Sequence, residues 1–435
     1  MENLLNVYQE DSVSKKVLLE FPDMILTAED ITESMSFSET VNPGNDWMVG
    51  ATSAAQLDFE IINLNQLVTD EQIKKEFRFR HGIQTMERSF YTLYQAIGAD
   101  LLCPGQSLAY AASGTKLEIW RTGETPHKLS APEQSAQQIE SLFLIEDRLY
   151  CGHAAAPWLT AYLVQGETLV KTGAPSLTPF QIEQIKRRNN VESVLVLIAG
   201  QMKTYEKKRY DLKLIDYIER TYTFTLVGYF TCDEPERVDE NTIRMQCYDR
   251  MVKFQDTLVD DFVTSLGYPI RLGELLNRLC TLVSVPLGTQ AIFNSDYQVK
   301  KNFRASNMSA RQLLQLIAEI ACCFAVISPS GTLELRWYTD LDYLIKEDYT
   351  NLRTADYVVQ KIDKLQVRST ENDVGVIVGT GKNKYTIENN SLLYADTDAE
   401  LRPVAEKIYN RIKDFSYIPY EITTKGNYLI RAGMA

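Results

Sequence analysis

The sequence predicts a mainly β protein with α+β character: a first β domain split by an inserted β-rich module, a helix-rich α/β domain, and a closing β domain with one helix. Three observations predict it. Polar and apolar residues alternate in short runs bounded by Gly, Pro, Asn and Asp, as half-buried antiparallel strands require. Apolar spacing of 3 and 4, the mark of an amphipathic helix, recurs clearly only after residue 269. The 435 residues, 45% apolar and 24% charged, have ordinary globular proportions and suit about three domains.

The first β domain is assigned to 1–79 plus 189–255. Val17–Phe21 and Met35–Ser38 read as short strands, Asn42-Pro43-Gly44-Asn45-Asp46 as a loop, and Gln56–Ile61 as an alternating strand. The rhythm resumes at Tyr210–Ile218, Thr221–Phe230 and Thr242–Tyr248, where Tyr, Thr, Val and Ile suit a pleated surface. If these later strands complete the first sheet, residues 80–188 are an insertion. Within it, Leu108–Trp120 reads as strand, Ser-Gly turn and strand before Gly123-Glu124-Thr125; a similar unit spans Leu149–Val164 before Gly166-Glu167-Thr168. The triplets lie 43 residues apart, within the period of propeller blades at roughly 40–45 residues. The insert therefore holds either two similar hairpins or two propeller-like blades, and two blades cannot close a ring that needs about four.

The α/β domain is assigned to 256–345. Leu272, Leu275, Leu276 and Leu279 give Ile270–Val283 a wide apolar face, and Leu313, Leu314, Ile317 and Ile320 do the same for Ser309–Cys322, with Ser309 as N-cap. Phe324–Tyr338 then reads as strand, Pro-Ser-Gly turn and strand. The closing domain, 346–435, has strands at Lys364–Val367, Val374–Val378 and Lys384–Ile387 and a helix over Ala399–Phe415. Tyr420–Thr424 and Tyr428–Ala432 look like a hairpin whose next strand is missing, so this domain reads as incomplete at its C-terminus.

The net charge is −13, of which −10 falls in residues 1–79, where 15 acidic residues meet 5 basic ones. This balance disfavours a general polyanion binder, whose affinity rests on Lys and Arg at phosphates. No basic and apolar leader opens the chain and no apolar run approaches the roughly 18 residues of a spanning helix, so no membrane segment is expected. Seven cysteines without a C-x-x-C pair read as reduced, mostly buried thiols.

Motifs that could carry chemistry fail on spacing. Gly375–Asn383 resembles a phosphate loop but lacks the four-residue gap, the hydroxyl after Lys and a following helix, and reads instead as a Gly-rich β-hairpin. Cys151-Gly152-His153 offers two metal ligands where a closed zinc site wants four. The basic clusters Lys186-Arg187-Arg188 and Lys207-Lys208-Arg209 read as solvated surface or as contacts for an acidic neighbour. No catalytic residue, metal or cofactor is expected, and the chain does not read as an enzyme.

A resemblance enters through ordered phrases. Met24–Ile31 with Ser34–Ser38, the small-residue turn and strand Val49–Ile61, Cys247-Tyr248-Asp249-Arg250-Met251, the stretch Leu272–Tyr338 with Asn294-Ser295-Asp296, and Ile418–Ile422 with Lys425–Gly433 resemble the tail hub of bacteriophages, prophages and contractile injection systems, known as the baseplate hub or tail-tip hub. The resemblance covers about 325 residues, everything except roughly 80–188. It implies two tube-like β-barrel domains, an α/β middle domain, and a structural role without catalysis. It further implies a homotrimer that joins the tail tube to a central spike or fibre, in the virion tail, assembled in the host cytoplasm. A distal tail protein and a tape-measure protein would be neighbours, and DNA would pass through the channel without specific binding. On this reading Glu29, Asp30, Glu33, Glu39, Asp58 and Glu60 are candidates to face the lumen, where negative charge repels phosphate. A competing reading makes the chain a tail-associated host-surface or carbohydrate-binding module, with Trp120 and Trp158 of the insert as ligand-binding aromatics.

Overall fold

The computed structural model describes residues 14–432 apart from 33–34, 42–46, 64–67, 94–100, 106–107, 122–126, 130–132, 136, 146, 154, 174–195, 199–200, 212–213, 289–290, 302, 304, 339–348, 355–360, 370–371, 417–419, 425–427 and 429. The chain opens with β1 (Lys15–Glu20), β2 (Ile25–Thr27), β3 (Ser36–Ser38) and β4 (Gln56–Ile62), then a one-turn helix α1 (Asp70–Ile73) and a long strand β5 (Phe77–Leu93). The predicted alternation of β4 holds: Leu57, Phe59 and Ile61 are buried, and the residues between them are not. Thr69 and Gln72 cap α1 reciprocally, satisfying two backbone donors at its start.

The next nine strands build the inserted module. β6 (Leu101–Pro104), β7 (Leu108–Ser113) and β8 (Lys116–Arg121) form a meander, with β9 (His127–Lys128) and β10 (Glu133–Gln134) both pairing β8. β11 (Ile139–Ile145), β12 (Arg148–His153), β13 (Leu159–Gln165) and β14 (Thr168–Thr172) form a second meander, in that order. Tyr110, Leu117 and Ile119 of the first pack with Leu149, Tyr150, Cys151 and Tyr162 of the second in one apolar core. Each Gly-Glu-Thr triplet follows the third strand of its meander; the first triplet itself lies outside the described residues.

The chain returns through β15 (Val196–Ile198), β16 (Gln201–Asp211), β17 (Leu214–Cys232), β18 (Glu236–Arg237) and β19 (Thr242–Asp249). β5 and β17 pair antiparallel along nearly their whole lengths, from Leu93 opposite Leu214 to Phe77 opposite Phe230. The expected boundary at residue 80 therefore falls inside a strand, and the meanders are mounted at the end of a long ribbon that grows out of the first sheet. The strands expected at Tyr210–Ile218 and Thr221–Phe230 are divided differently: β16 ends at Asp211 and β17 runs unbroken from Leu214 to Cys232. In that run Thr221 to Thr225 alternates Thr with Tyr and Phe, good strand residues that give no reason to stop at Glu219 and Arg220.

The first sheet has the order β2-β1-β5-β17-β19-β4-β3, with β15, β16 and β18 attached alongside. Its core gathers Leu19, Phe21, Leu26, Leu57, Phe59, Phe77, Phe79, Phe230, Met245 and Cys247. The mainly β character is as expected, and the pairings of the described residues do not form a closed barrel of the tube-like kind the resemblance implies. β2 and β3 are the ends of this ladder, and between them Ile31 bridges to Ile61 of β4, with Thr32 N donating to Glu60 O at 2.9 Å and Ile62 N to Asp30 O at 2.8 Å.

Two short helices, α2 (Met251–Asp256) and α3 (Asp260–Thr264), lead to β20 (Ile270–Arg271), α4 (Leu272–Leu282), β21 (Gln298–Val299), α5 (Ala310–Ile320), β22 (Phe324–Ile327) and β23 (Leu333–Arg336). Leu272, Leu275, Leu276 and Leu279 of α4 and Leu313, Leu314 and Ile317 of α5 are all buried. Ser309 caps α5 as predicted: its hydroxyl accepts from Gln312 N at 3.2 Å while Gln312 Oε1 accepts from Ser309 N at 2.8 Å. The last part holds β24 (Tyr349–Thr354), β25 (Lys364–Ser369), β26 (Val374–Gly379), β27 (Lys384–Ile387), α6 (Asp398–Ile412) and β28 (Tyr420–Thr424).

β25 is central in its sheet, with β26 antiparallel on one side and β27 parallel on the other. This is a three-stranded sheet beside a separate β24–β28 pair, not a barrel. Leu365 and Val367 of β25 and Leu401, Val404, Ile408 and Ile412 of α6 share one continuous core with α4 and α5. Residues 256–345 and 346–435 thus have a common interior. The predicted terminal hairpin is also corrected: β28 pairs with β24, and the residues after it turn back to the first sheet. Ile317 is fully buried at the centre of this shared core, so Ile317→Ala should cost about 2–5 kcal/mol. Urea unfolding should show a lower midpoint at an unchanged slope.

Candidate functional site

The most built feature of the molecule is a junction where all parts except the insert meet, and it is threaded by residues 47–55. Gly50 N donates to Cys323 O at 2.9 Å, Ala325 N to Ala51 O at 2.9 Å, and Val49 N to the Tyr385 hydroxyl at 2.9 Å. Arg311 of α5 donates to Thr52 O through Nη2 at 2.6 Å. The run of small residues has a steric reason. A Cβ at Gly50 would sit 2.8–2.9 Å from Cβ, Cα and N of Glu319, and its φ of +87° suits glycine. Only a chain without side-chain bulk passes this close to the α5 backbone.

Trp47 opens the thread inside an aromatic cluster drawn from three parts of the chain. Its ring centroid lies 5.1 Å from Phe415, 5.3 Å from Tyr385 and 6.3 Å from Trp337. Arg411 of α6 lies over Trp337, 5.1 Å from the centroid. These residues carry no motif, and nothing in their sequence spacing marks them as neighbours.

The Cys247–Met251 phrase closes the thread. Asp249 Oδ2 accepts from Ala55 N at 3.0 Å and Oδ1 from Met251 N at 2.9 Å, so one carboxylate holds the end of the small-residue run and the start of α2. Burial pushes the Asp249 carboxyl up to about 7, against the pull of those two hydrogen bonds. The neighbouring Arg250 makes a bidentate pair with Glu76, at 2.9 and 2.6 Å, and donates to Gly331 O at 3.0 Å. It thereby ties the first sheet to the Ser328–Thr332 turn.

The C-terminal segment returns to the same region. Arg431 Nε and Nη2 reach Glu39 at 2.9 and 2.7 Å, and Nη1 donates to Val227 O at 2.9 Å. Both side chains of that pair are under 10% exposed. Tyr428 packs on His81, Phe79 and Phe37 at 4.6, 5.3 and 5.8 Å between centroids. Asn294, at φ +56°, donates to Ile320 O at 2.8 Å and completes the end of α5.

The six acidic residues singled out from the sequence separate into different roles. Asp30 is fully buried, accepting from Thr27 N at 2.9 Å and Thr27 Oγ1 at 3.0 Å. Glu39 is bound to Arg431. Glu29 is exposed, and Glu33 lies outside the described residues. Asp58 and Glu60 share the outward face of β4, where Gln56 donates to Asp58 at 2.9 Å and Arg244 pairs with Glu60 at 3.1 Å. That face carries both signs of charge, since Arg244 also pairs with Glu236 at 3.1 Å. The two tryptophans are not brought together as a repeat. Trp120 stands at the end of β8, its indole donating to Glu118 at 3.1 Å, whereas Trp158 precedes β13 on the second meander. Arg121 and Glu167 form an ion pair between the two meanders.

The rejected motifs have structural partners. Both ring nitrogens of His153 are committed, Nδ1 to Gln138 O at 2.9 Å and Nε2 to Thr160 Oγ1 at 3.0 Å. In the glycine-rich stretch, Lys382 N and Asn383 N both donate to Asp363 Oδ2 at 3.0 Å. A carboxylate occupies the position that a phosphate would need. The stretch is not a hairpin, because β26 and β27 flank opposite sides of β25. Lys207, Lys208 and Arg209 lie on β16, and Lys186–Arg188 are outside the described residues.

No family model matches this chain, and no curated protein matches it. Among solved structures it is similar to the 43 kDa tail protein of prophage MuSo2 from Shewanella oneidensis, at 9% identity and a TM-score of 0.34, over 90% of this chain and 76% of that one.

Two outcomes follow from the junction. Gly50→Ala should destabilise the fold by about 2 kcal/mol or more, because strain and backbone overlap act together; thermal denaturation measures it. Glu319 is partly buried against Gly50 with Asn390 Nδ2 at 2.8 Å, and burial pushes its carboxyl up to about 7. A carboxyl raised in the folded state binds its proton more tightly there than in the unfolded chain. The contribution of this group to stability is therefore full below the ordinary carboxyl range and is lost as pH rises from about 4.5 to about 7. Glu319→Gln should flatten part of that fall and raise stability at pH 8 by about 1–2 kcal/mol, leaving the share that Asp249 contributes. Urea unfolding at pH 5 and pH 8 separates the two.

Proposed function

We propose that this chain is a structural protein of a bacteriophage or prophage tail, and specifically the hub that joins the tail tube to a central spike or tip. The observation that carries the reading is where the resembling phrases fall. Val49–Ala55, Cys247–Met251, Asn294 and Arg431 were matched as sequence, and each supplies a hydrogen bond or close approach that fixes one part of the chain on another. Residues that serve as joints suit a load-bearing scaffold. In this role the chain acts without catalysis, as a homotrimer whose β domains line a channel. Tube, distal tail, tape-measure and spike or fibre proteins are its neighbours, and DNA passes without specific contacts. Its place is the virion tail, after assembly in the bacterial cytoplasm.

Mass photometry of the purified chain, alone and mixed with a tail-tube protein and a spike protein, tests this. A trimer, or a three-fold complex formed on mixing, is the expected result. A monomer that ignores both tube and spike proteins overturns the reading.

A further inference from the structure

Cys232 and Cys247 stand directly opposite one another on β17 and β19. Asp233 N donates to Gln246 O at 3.0 Å, which makes the next pair along, 233 with 246, a hydrogen-bonded one. The 232–247 pair is therefore of the non-hydrogen-bonded kind, in which Cα atoms approach to about 4.5 Å and side chains lie closest. That separation falls within the range disulfides require, about 4.4–6.8 Å. Both side chains point into the same core, 4% and 0% exposed. The Cys232 thiol donates to Met245 Sδ at 3.8 Å. None of the other five cysteines is register-paired with a cysteine.

We propose that Cys232 and Cys247 form a latent disulfide site, reduced in the chain as folded and closed by a peroxide. The inference is independent of the tail reading. Cys232 is the reacting thiol, for it ends β17, where a strand frays first. The Cys247 thiol opposite holds the Cys232 thiol below its ordinary range, while burial pushes Cys247 well up. In the first step Cys232 sulfur attacks one peroxide oxygen, the O–O bond breaks, and a sulfenic acid and water result. In the second, Cys247 sulfur attacks Cys232 sulfur, the S–O bond breaks, and the departing hydroxide takes the Cys247 proton as water. Two thiols lose two electrons and one hydrogen peroxide becomes two waters. The bond would staple β19 to β17 just before Asp249 and Arg250, the residues that hold the junction.

The test is mild hydrogen peroxide treatment of the native full-length chain, quenching, alkylation and tryptic mass spectrometry. The expected product is the peptide Thr221–Arg237 linked to Met245–Arg250, two hydrogens lighter than the sum and separated again by dithiothreitol. The thermal midpoint of the oxidised protein should exceed that of the reduced protein, since the crosslink restricts the unfolded chain. Cys103→Ser should leave the linked peptide in place and Cys232→Ser should abolish it. Recovery of both peptides unlinked from the treated wild-type chain overturns the proposal, whether the thiols are alkylated or carried to sulfinic acid.

Discussion

The passage of residues 49–55 across the backbone of α5 is the constraint on which the rest of the molecule depends. A strand entering a sheet ordinarily arrives through a solvated loop. Here the approach to β4 runs through the interior of the α/β part, and each of its backbone polar groups must find a partner away from water. Cys323 O, Ala325 N, Arg311 and Asp249 supply those partners. The contact distance is set by Gly50, and the helix presents Glu319 at that point. Once the thread is in place, the first sheet and the helical part cannot rotate against each other without breaking hydrogen bonds at both ends of the run.

Charge is used at the junction in the same sense. A buried carboxylate or ion pair rarely adds net stability against an apolar alternative, because desolvation offsets the attraction. What such groups do is reject other arrangements: Asp249 is satisfied by the amides of Ala55 and Met251, and Arg431 by Glu39 and Val227 O. Much of the N-terminal acidity that dominates the composition is thereby accounted for residue by residue. Asp30 shapes a turn, Glu39 clasps the C-terminal segment, Glu76 holds Arg250, and Glu20 pairs with Arg78 and Arg80. A net charge summed over a segment says nothing about which carboxylates remain at the surface.

Local features were legible in the sequence and long-range ones were not. The faces of α4 and α5, the Ser309 cap, the alternation of β4 and the strand-turn-strand of β22–β23 follow from periodicity within about 15 residues, and that is the span over which pattern constrains structure. Barrel closure is not legible in this way, because it is a pairing between distant edges, on which alternation is silent. β5 was missed because Gly82 and the adjacent Glu87 and Arg88 interrupt its alternation, while its pairing with β17 makes it continuous. The aromatic cluster around Trp47 draws on residues more than 300 positions apart. No local signal marks it. The acidic candidates were chosen by charge alone, a criterion that does not separate Asp30, which is buried, from Glu29, which is exposed.

The degeneracy of the resembling phrases has a physical explanation in this arrangement. A catalytic motif demands particular atoms at particular places, so its letters vary little. A joint demands less: a backbone that comes close, a carboxylate facing two amides, an arginine facing a carbonyl. The hydrogen bonds of Ala51 and Ala55 use backbone atoms, Ala51 O and Ala55 N and O, and their methyl groups are buried in apolar cores, so a small apolar residue that fits would serve there. Gly50, Asp249 and Arg250 are held more tightly, by steric contact and by side-chain hydrogen bonds. The insert obeys the same logic. Among the described residues it joins the first sheet through β5 and the strands that return beside it, so its two meanders stand at the end of a ribbon and touch no joint of the junction.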